Sequence, residues 1–197
     1  KEAVSEVLLG PTNGNNDGYV IMTRMPQGAH GPAMFTLPDD HLLIVLEGKV
    51  NIQIGTDKFV LDRYQGAAIP PNTPHEIWNA DPSVAVFMEA IAPGSSRDLL
   101  SLVKPAKATP VANAKDMIRM PKISGQAELK PGLNGVSFAA RKTGSSIQMR
   151  IDSTNPGQGG PKPHVHVFTQ VYFSIAGGTT VDYGLNTYQL PTYSVVA

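Results

Sequence analysis

Apolar and polar positions alternate with a period of two through much of this chain. Residues 49–55 show it most cleanly: Val50, Ile52 and Ile54 are apolar and Asn51 and Gln53 polar, as in a strand buried on one face. Residues 19–25 have strand composition and stop at Pro26, residues 41–47 form a long apolar run ended by Gly48, and residues 58–61, 76–79 and 83–89 read as further strands. Residues 28–32 are a turn, and residues 66–75, closed by prolines, are read as another. Residues 1–18 are polar and turn-rich and read as an arm plus loop. Strands about ten residues apart with turn signals between them predict an antiparallel sandwich or barrel.

The texture changes after Pro93. Ser95 and Ser96 are candidate caps for a short helix over residues 97–103. Residues 104–135, with scattered Pro, Ala, Lys and Gly, read as a connector with one short helix. Strand composition returns at residues 136–141 and 146–151, and residues 155–161 form a turn. A last apolar run from Gln170 ends at Gly177 and Gly178.

Composition narrows the function classes. Sixteen basic residues balance sixteen acidic ones over 197 residues, so nothing argues for nucleic acid or an anionic membrane as partner. There are no cysteines, which excludes disulfides, thiolate metal sites and a cysteine nucleophile. No apolar run approaches the roughly 20 residues of a membrane span. A cytoplasmic location is expected on the absence of cysteine and of a visible leader. Gly-x-Ser-x-Gly, phosphate-loop and dinucleotide patterns are absent from the sequence.

The candidate chemistry lies at His164, His166 and Gln170. On a strand, residues two and four apart share a face, so these three are expected to point the same way. Two neutral imidazoles and an amide oxygen make most of a ligand set for one divalent transition metal, and Fe, Mn, Ni, Cu and Zn all accept it. His30 sits in a glycine-rich turn and reads as an exposed histidine. Asp39 and Asp40, next to Pro38, read as a solvated loop, and Trp78 as packing at the barrel wall.

The chain also repeats. An offset of 129 positions places Gly28, Gly31 and Pro32 on Gly157, Gly160 and Pro161, and Gly48, Gly55, Leu61 and Tyr64 on Gly177, Gly184, Leu190 and Tyr193. The same register places Phe35 on His164, Leu37 on His166 and His41 on Gln170. The counterpart of His75 falls seven positions past Ala197, so the second copy is expected to be truncated and the chain to continue.

These motifs resemble the cupin superfamily, and the repeat resembles a bicupin. The family pattern G-x5-H-x-H-x3-4-E-x6-G is matched by His164, His166, Gln170 and Gly177, with glutamine where the family usually has glutamate. The second pattern, G-x5-P-x-G-x2-H-x3-N, is approached by Gly66, Pro70, His75 and Asn79, while both histidines of the first motif are replaced by Phe35 and Leu37. The resemblance implies an all-β fold of two jelly-roll barrels. The first occupies residues 1–103 with a degenerate metal site, residues 104–135 connect, and residues 136–197 form the second, incomplete barrel. It implies a metal at His164, His166 and Gln170, and a first-barrel ligand pocket at His41, His75, Phe35 and Leu37 with no metal. By resemblance the chain is expected to be a metal-dependent oxidoreductase of quercetin-dioxygenase-like type acting on a small organic, phenolic substrate. The alternatives are a non-catalytic small-molecule-binding bicupin and a metal-assisted isomerase or lyase. Cupins commonly pair barrels, so a homodimer is expected.

Overall fold

The computed structural model describes residues 2–15, 17–94, 98–119, 146–160 and 162–197, and the backbone of residues 134–137. The expected caps Ser95 and Ser96, and most of the strand expected over residues 136–141, lie outside these.

The first unit is built from β1 (Val4–Leu9), β2 (Tyr19–Met25), β3 (Phe35–Thr36), β4 (Asp40–Glu47), β5 (Val50–Ile54), β6 (Asp57–Leu61), β7 (Gly66–Ile69), β8 (His75–Trp78) and β9 (Ala85–Ala92). Helix α1 (Leu99–Leu102), β10 (Lys104–Pro105), a 3-10 turn (Ala114–Met117) and β11 (Ile118–Arg119) follow. All pairings are antiparallel, in one sheet of order β1-β2-β9-β4-β7-β11 and a second of order β10-β3-β8-β5-β6. The chain crosses repeatedly between the two sheets, which makes the unit an all-β jelly roll.

Strand parity decides what is inside. On β5, Val50, Ile52 and Ile54 are fully buried in the main core cluster, joined there by Leu43 and Val45 of β4 and by Ala85 and Phe87 of β9. A smaller interior cluster, made of Tyr19, Ile21, Phe35, Leu37, Ile91 and Leu102, fills the other end. The opposite parity of the first sheet points outward, where Val20, Ile44, Leu46, Val86 and Met88 pack against Met149, Ile151, Val171, Phe173, Ile175 and Tyr193. Tyr193 also donates its hydroxyl to Glu47; burial first, and the Glu47 carboxylate second, push its phenol up to about 12. Ser146 donates its backbone N–H and its hydroxyl to Asp40 Oδ2 at 2.6 and 2.5 Å. The later part of the chain therefore covers an apolar sheet face that would otherwise lie in water.

Several expectations are corrected. Residues 4–9 are not an arm but β1, paired with β2 and carrying a register shift between Val7 and Leu9. Residues 66–69 are not turn but β7, buried at all four positions between β4 and β11. Small residues and a following Pro-Pro pair mimic a turn, yet Ala67, Ala68 and Ile69 suit a strand buried on both faces. Asp39 and Asp40 are buried rather than solvated. The expected helix is the single turn Leu99–Leu102, capped by Asp98, whose carboxylate accepts from Leu100 N at 3.1 Å. Residues 104–119 are more than a connector, adding β10 to one sheet and β11 to the other.

The later residues form β12 (Asn134–Ser137), β13 (Arg150–Ser153), β14 (Tyr172–Phe173), β15 (Thr179–Tyr183), β16 (Asn186–Leu190) and β17 (Val195–Val196), joined as three two-stranded ladders. The repeat is visible in their register. Leu43 pairs with Ala67 and Ile44 with Gly66 in the first unit, and Tyr172 with Val196 and Phe173 with Val195 in the second, each displaced by 129. The β5–β6 hairpin runs from Val50↔Leu61 to Ile54↔Asp57, and β15–β16 from Thr179↔Leu190 to Tyr183↔Asn186, with the same offset. Tyr64 (φ 64) and Tyr193 (φ 62) share a left-handed backbone, and their N–H groups reach Val45 O at 2.7 Å and Ser174 O at 2.6 Å.

The two hairpin glycines provide a test. Gly55 (φ +59) and Gly184 (φ +62) hold the same turn position, but a Cβ on Gly55 would stand 2.4 Å from Thr109 O, whereas at Gly184 nothing lies within 4 Å. Gly184→Ala is expected to cost only the left-handed penalty, about 1 kcal/mol. Gly55→Ala is expected to cost at least twice that, because backbone must move. Urea unfolding of the two variants checks it; equal losses would contradict the close packing at Gly55.

Candidate functional site

The interior parity of the first unit carries a line of polar groups between the two apolar clusters. On β2, Thr23 lies between Ile21 of one cluster and Met25 of the other; on β9, Glu89 lies between Phe87 and Ile91. His41 of β4 and His75 of β8 complete the line, each about 1% exposed.

Hydrogen bonds run its full length. His75 Nδ1 lies 2.8 Å from Thr73 O. A carbonyl only accepts, so this nitrogen carries the hydrogen. Burial first, then the neighbouring His41, push His75 down to about 3, so the ring is neutral and its Nε2 accepts. His41 Nδ1, at 3.0 Å, must therefore donate to it. His41 Nε2 faces Glu89 Oε1 at 3.0 Å, a contact that holds one hydrogen between imidazole and carboxyl. Thr23 Oγ1 donates to Glu89 Oε2 at 3.0 Å, and Ser5 Oγ, 2.8 Å from Thr23 Oγ1, donates to that hydroxyl in turn. The Phe35 ring lies against His75 with centroids 4.2 Å apart, and Leu37 packs in the same cluster as Phe35.

All four ring nitrogens of His41 and His75 are thus engaged by protein groups. Glu89 and His75 sit on opposite edges of the His41 ring, so the three cannot converge on one ion as arranged. Among the described residues no group of three His, Cys, Asp or Glu side chains is placed to hold a metal. The structure places His41, His75, Phe35 and Leu37, expected to line a ligand pocket, close together in the packed interior. Glu89, Thr23 and Ser5 were missed; the signal available was a carboxylate on the same strand parity as Phe87 and Ile91.

His164, His166 and Gln170 lie elsewhere, and their local structure differs from expectation. Residues 162–170 are outside any strand, and only Tyr172–Phe173 of the expected run pairs. The counterpart segment in the first unit is a strand because Phe35 pairs with His75 and with Pro105; residues 162–170 have no such ladder among the described residues. The two rings still meet: His164 Nε2 and His166 Nε2 are 2.9 Å apart, and His164 Nδ1 donates to Lys162 O at 2.7 Å. Phe168 stacks on His166 with centroids 4.5 Å apart. Both histidines and Gln170 are exposed. His30, likewise exposed, stacks on Trp78 from outside the barrel.

No family model and no curated protein matches the chain. Among solved structures it is similar to an uncharacterized conserved protein with a double-stranded β-helix domain from Klebsiella pneumoniae subsp. pneumoniae, at 23% identity, covering 48% of this chain and 79% of that one, with a TM-score of 0.43. It is also similar to an RmlC-like cupin family protein from Methanocaldococcus jannaschii, at 17% identity over 46% of this chain and 80% of that one, TM-score 0.42. A third is the Cupin_2 domain of an XRE family transcriptional regulator from Enterobacter cloacae, at 18% identity over 46% and 95%, TM-score 0.41. Among the described residues no helix is long and apolar enough to cross a membrane.

The buried line makes stability depend on acid. His75 titrates from about 3 when folded against the ordinary value of 6.5, so between these values the unfolded chain binds the extra proton. Stability is expected to be fully present above about pH 6.5 and to fall as pH drops toward about 3. Urea midpoints across that range measure the slope, and His75→Asn is expected to flatten it. An unchanged slope in the variant would remove His75 from the account.

Proposed function

We propose that this chain is a two-unit cupin whose chemistry resides in the second unit, where His164, His166 and Gln170 hold one divalent transition metal for oxidation of a small organic, phenolic substrate. The observation that carries this reading is the 2.9 Å separation of the two Nε2 atoms on exposed rings. Two nitrogens bound at about 2.0–2.1 Å to one ion stand about 2.9 Å apart at a right angle and about 3.4 Å apart at the tetrahedral angle. That spacing is also the one the two rings keep in bonding to each other, but both rings are exposed, whereas the histidines of the first unit are buried and held additionally by Glu89 and the Thr73 carbonyl.

The residues have separable tasks. Lys162 O, by taking the Nδ1 hydrogen of His164, fixes the tautomer that leaves Nε2 as a donor atom. Phe168, stacked on His166, holds that ring and shields one face from water. Gln170 offers a neutral amide oxygen, to the ion or to a water or substrate beside it. When bound, the metal supplies Lewis acidity and, where redox-active, electrons for dioxygen chemistry.

Elemental analysis of the intact protein tests the metal. One equivalent of a transition metal is expected, lost in His164→Ala and His166→Ala together with any oxygen uptake on phenolic substrates. Gln170→Glu is expected to hold the metal more tightly, because a carboxylate adds negative charge. A metal-free double variant with full activity would overturn the reading. The neutral amide at Gln170 also favours a non-catalytic small-molecule binder, which predicts ligand-induced stabilisation with no turnover. An isomerase or lyase would turn over with no oxygen consumed.

A further inference from the structure

We propose that Asp17 of the first unit is a positioning residue for the segment from His164 to Gln170, which it holds from across the interface through Thr169. The role rests on the metal reading of that segment and adds what keeps its ligands in place. Residues 162–170 belong to no strand, so no ladder among the described residues fixes them. Thr169 Oγ1 donates to Asp17 Oδ2, and Gln170 is the next residue along the chain.

Asp17 can serve as an anchor because its own backbone is fixed. Its N–H donates to Asn15 Oδ1 at 3.1 Å, and its carbonyl accepts from Gly94 N at 3.0 Å. The loop sits tightly on the end of β9. A Cβ on Gly18 would stand 2.4 Å from Ile91 O, and one on Gly94 would stand 2.9 Å from Gly18 Cα. A hydroxyl donating to a carboxylate is a charge-assisted bond, roughly twice as strong as a neutral one.

The repeat supplies a second, independent observation. Under the offset of 129, positions 17 and 146 are equivalent, and so are positions 40 and 169. The bonds from Ser146 to Asp40 Oδ2 and from Thr169 to Asp17 Oδ2 are therefore one contact made twice in opposite senses. That reciprocity is what a two-fold axis imposes, where residue i meets j and j meets i. The apolar interface obeys it too, since Val20, Ile44 and Leu46 pack in one cluster with their equivalents Met149, Phe173 and Ile175. Position 40 accepts in one contact and its equivalent donates in the other, so each contact has the complementary pair it needs. Each contact also stands one residue ahead of a site residue, Asp40 before His41 and Thr169 before Gln170. Ser146 steadies the entry to the buried line, and Asp17 steadies the entry to the candidate ligands.

Thr169→Val and Asp17→Ala remove the contact, and Thr169→Ser keeps the hydroxyl. Nitrogen-15 relaxation of the metal-free protein reads the anchoring. Backbone order parameters of residues 165–170 are expected to fall below about 0.6 in the first two variants and to stay at the higher wild-type level in Thr169→Ser. Cobalt(II) titration, followed by visible absorption, reads the positioning. Its Kd is expected to rise roughly tenfold in Thr169→Val and Asp17→Ala, as the loss of one hydrogen bond to a carboxylate implies, and to return to the wild-type value in Thr169→Ser. Ser146→Ala, at the equivalent contact, is expected to change neither readout. Unchanged order parameters in Thr169→Val would overturn the anchoring, and lowered order with unchanged cobalt affinity would overturn the positioning role. A wild type that takes up no cobalt overturns the metal reading instead, and the order parameters still decide whether Asp17 holds the segment.

Discussion

The contact between His41 and Glu89 is the constraint to which the first barrel answers. Placing two imidazoles and a carboxylate inside an apolar barrel costs several kcal/mol if any polar atom is left unpaired. The cost is met only when every donor finds its acceptor, and here that fixes the donors on either side of the hydrogen shared by His41 and Glu89: Ser5 and Thr23 donate toward Glu89, and His41 and His75 donate toward the Thr73 carbonyl. Those residues sit on β1, β2, β9 and β4 of one sheet and on β8 and the turn before it in the other. The polar line therefore sets the alignment of five strands across both sheets. A slip of one residue in any of them would turn its polar member outward and leave its neighbour unpaired.

The later residues repeat some of these pairings with other side chains. Pairing registers, hairpin glycines and the left-handed tyrosine recur at an offset of 129. The side chains differ at the positions that matter: Phe35 and Leu37 become His164 and His166, and His41 becomes Gln170. In the first unit the apolar pair fills space and the histidines bond to protein. In the second, the imidazoles face one another in solvent and the amide replaces the ring that joined the line. The units also depend on each other, since Phe173, Ile175 and Tyr193 cover the outward face of β2, β4 and β9.

Alternation made β5 legible, and apolar runs marked β4 and β9, which are buried on both faces. Periodicity failed where another force decided. Residues 66–69 are short and small and look like a turn, but burial between two strands makes them β7. Residues 4–9 are largely exposed, so β1 is held by its pairing with β2 rather than by an apolar face. The strand expected through His164 needs a partner strand, and periodicity says nothing about partners. Of the candidate residues, the histidines announced themselves by type. Glu89 was hidden because a carboxylate in an apolar run reads as an exposed position until its parity is compared with Phe87 and Ile91.

Histidine side-chain nitrogen NMR gives the most direct reading of the buried line. The account predicts that His75 remains a neutral ring protonated at Nδ1 from pH 8 down to about pH 4, with a resolved coupling across the His41–His75 hydrogen bond. A His75 ring that protonates near its ordinary value of 6.5, or that carries its hydrogen on Nε2, would contradict the donation order on which the barrel's interior depends.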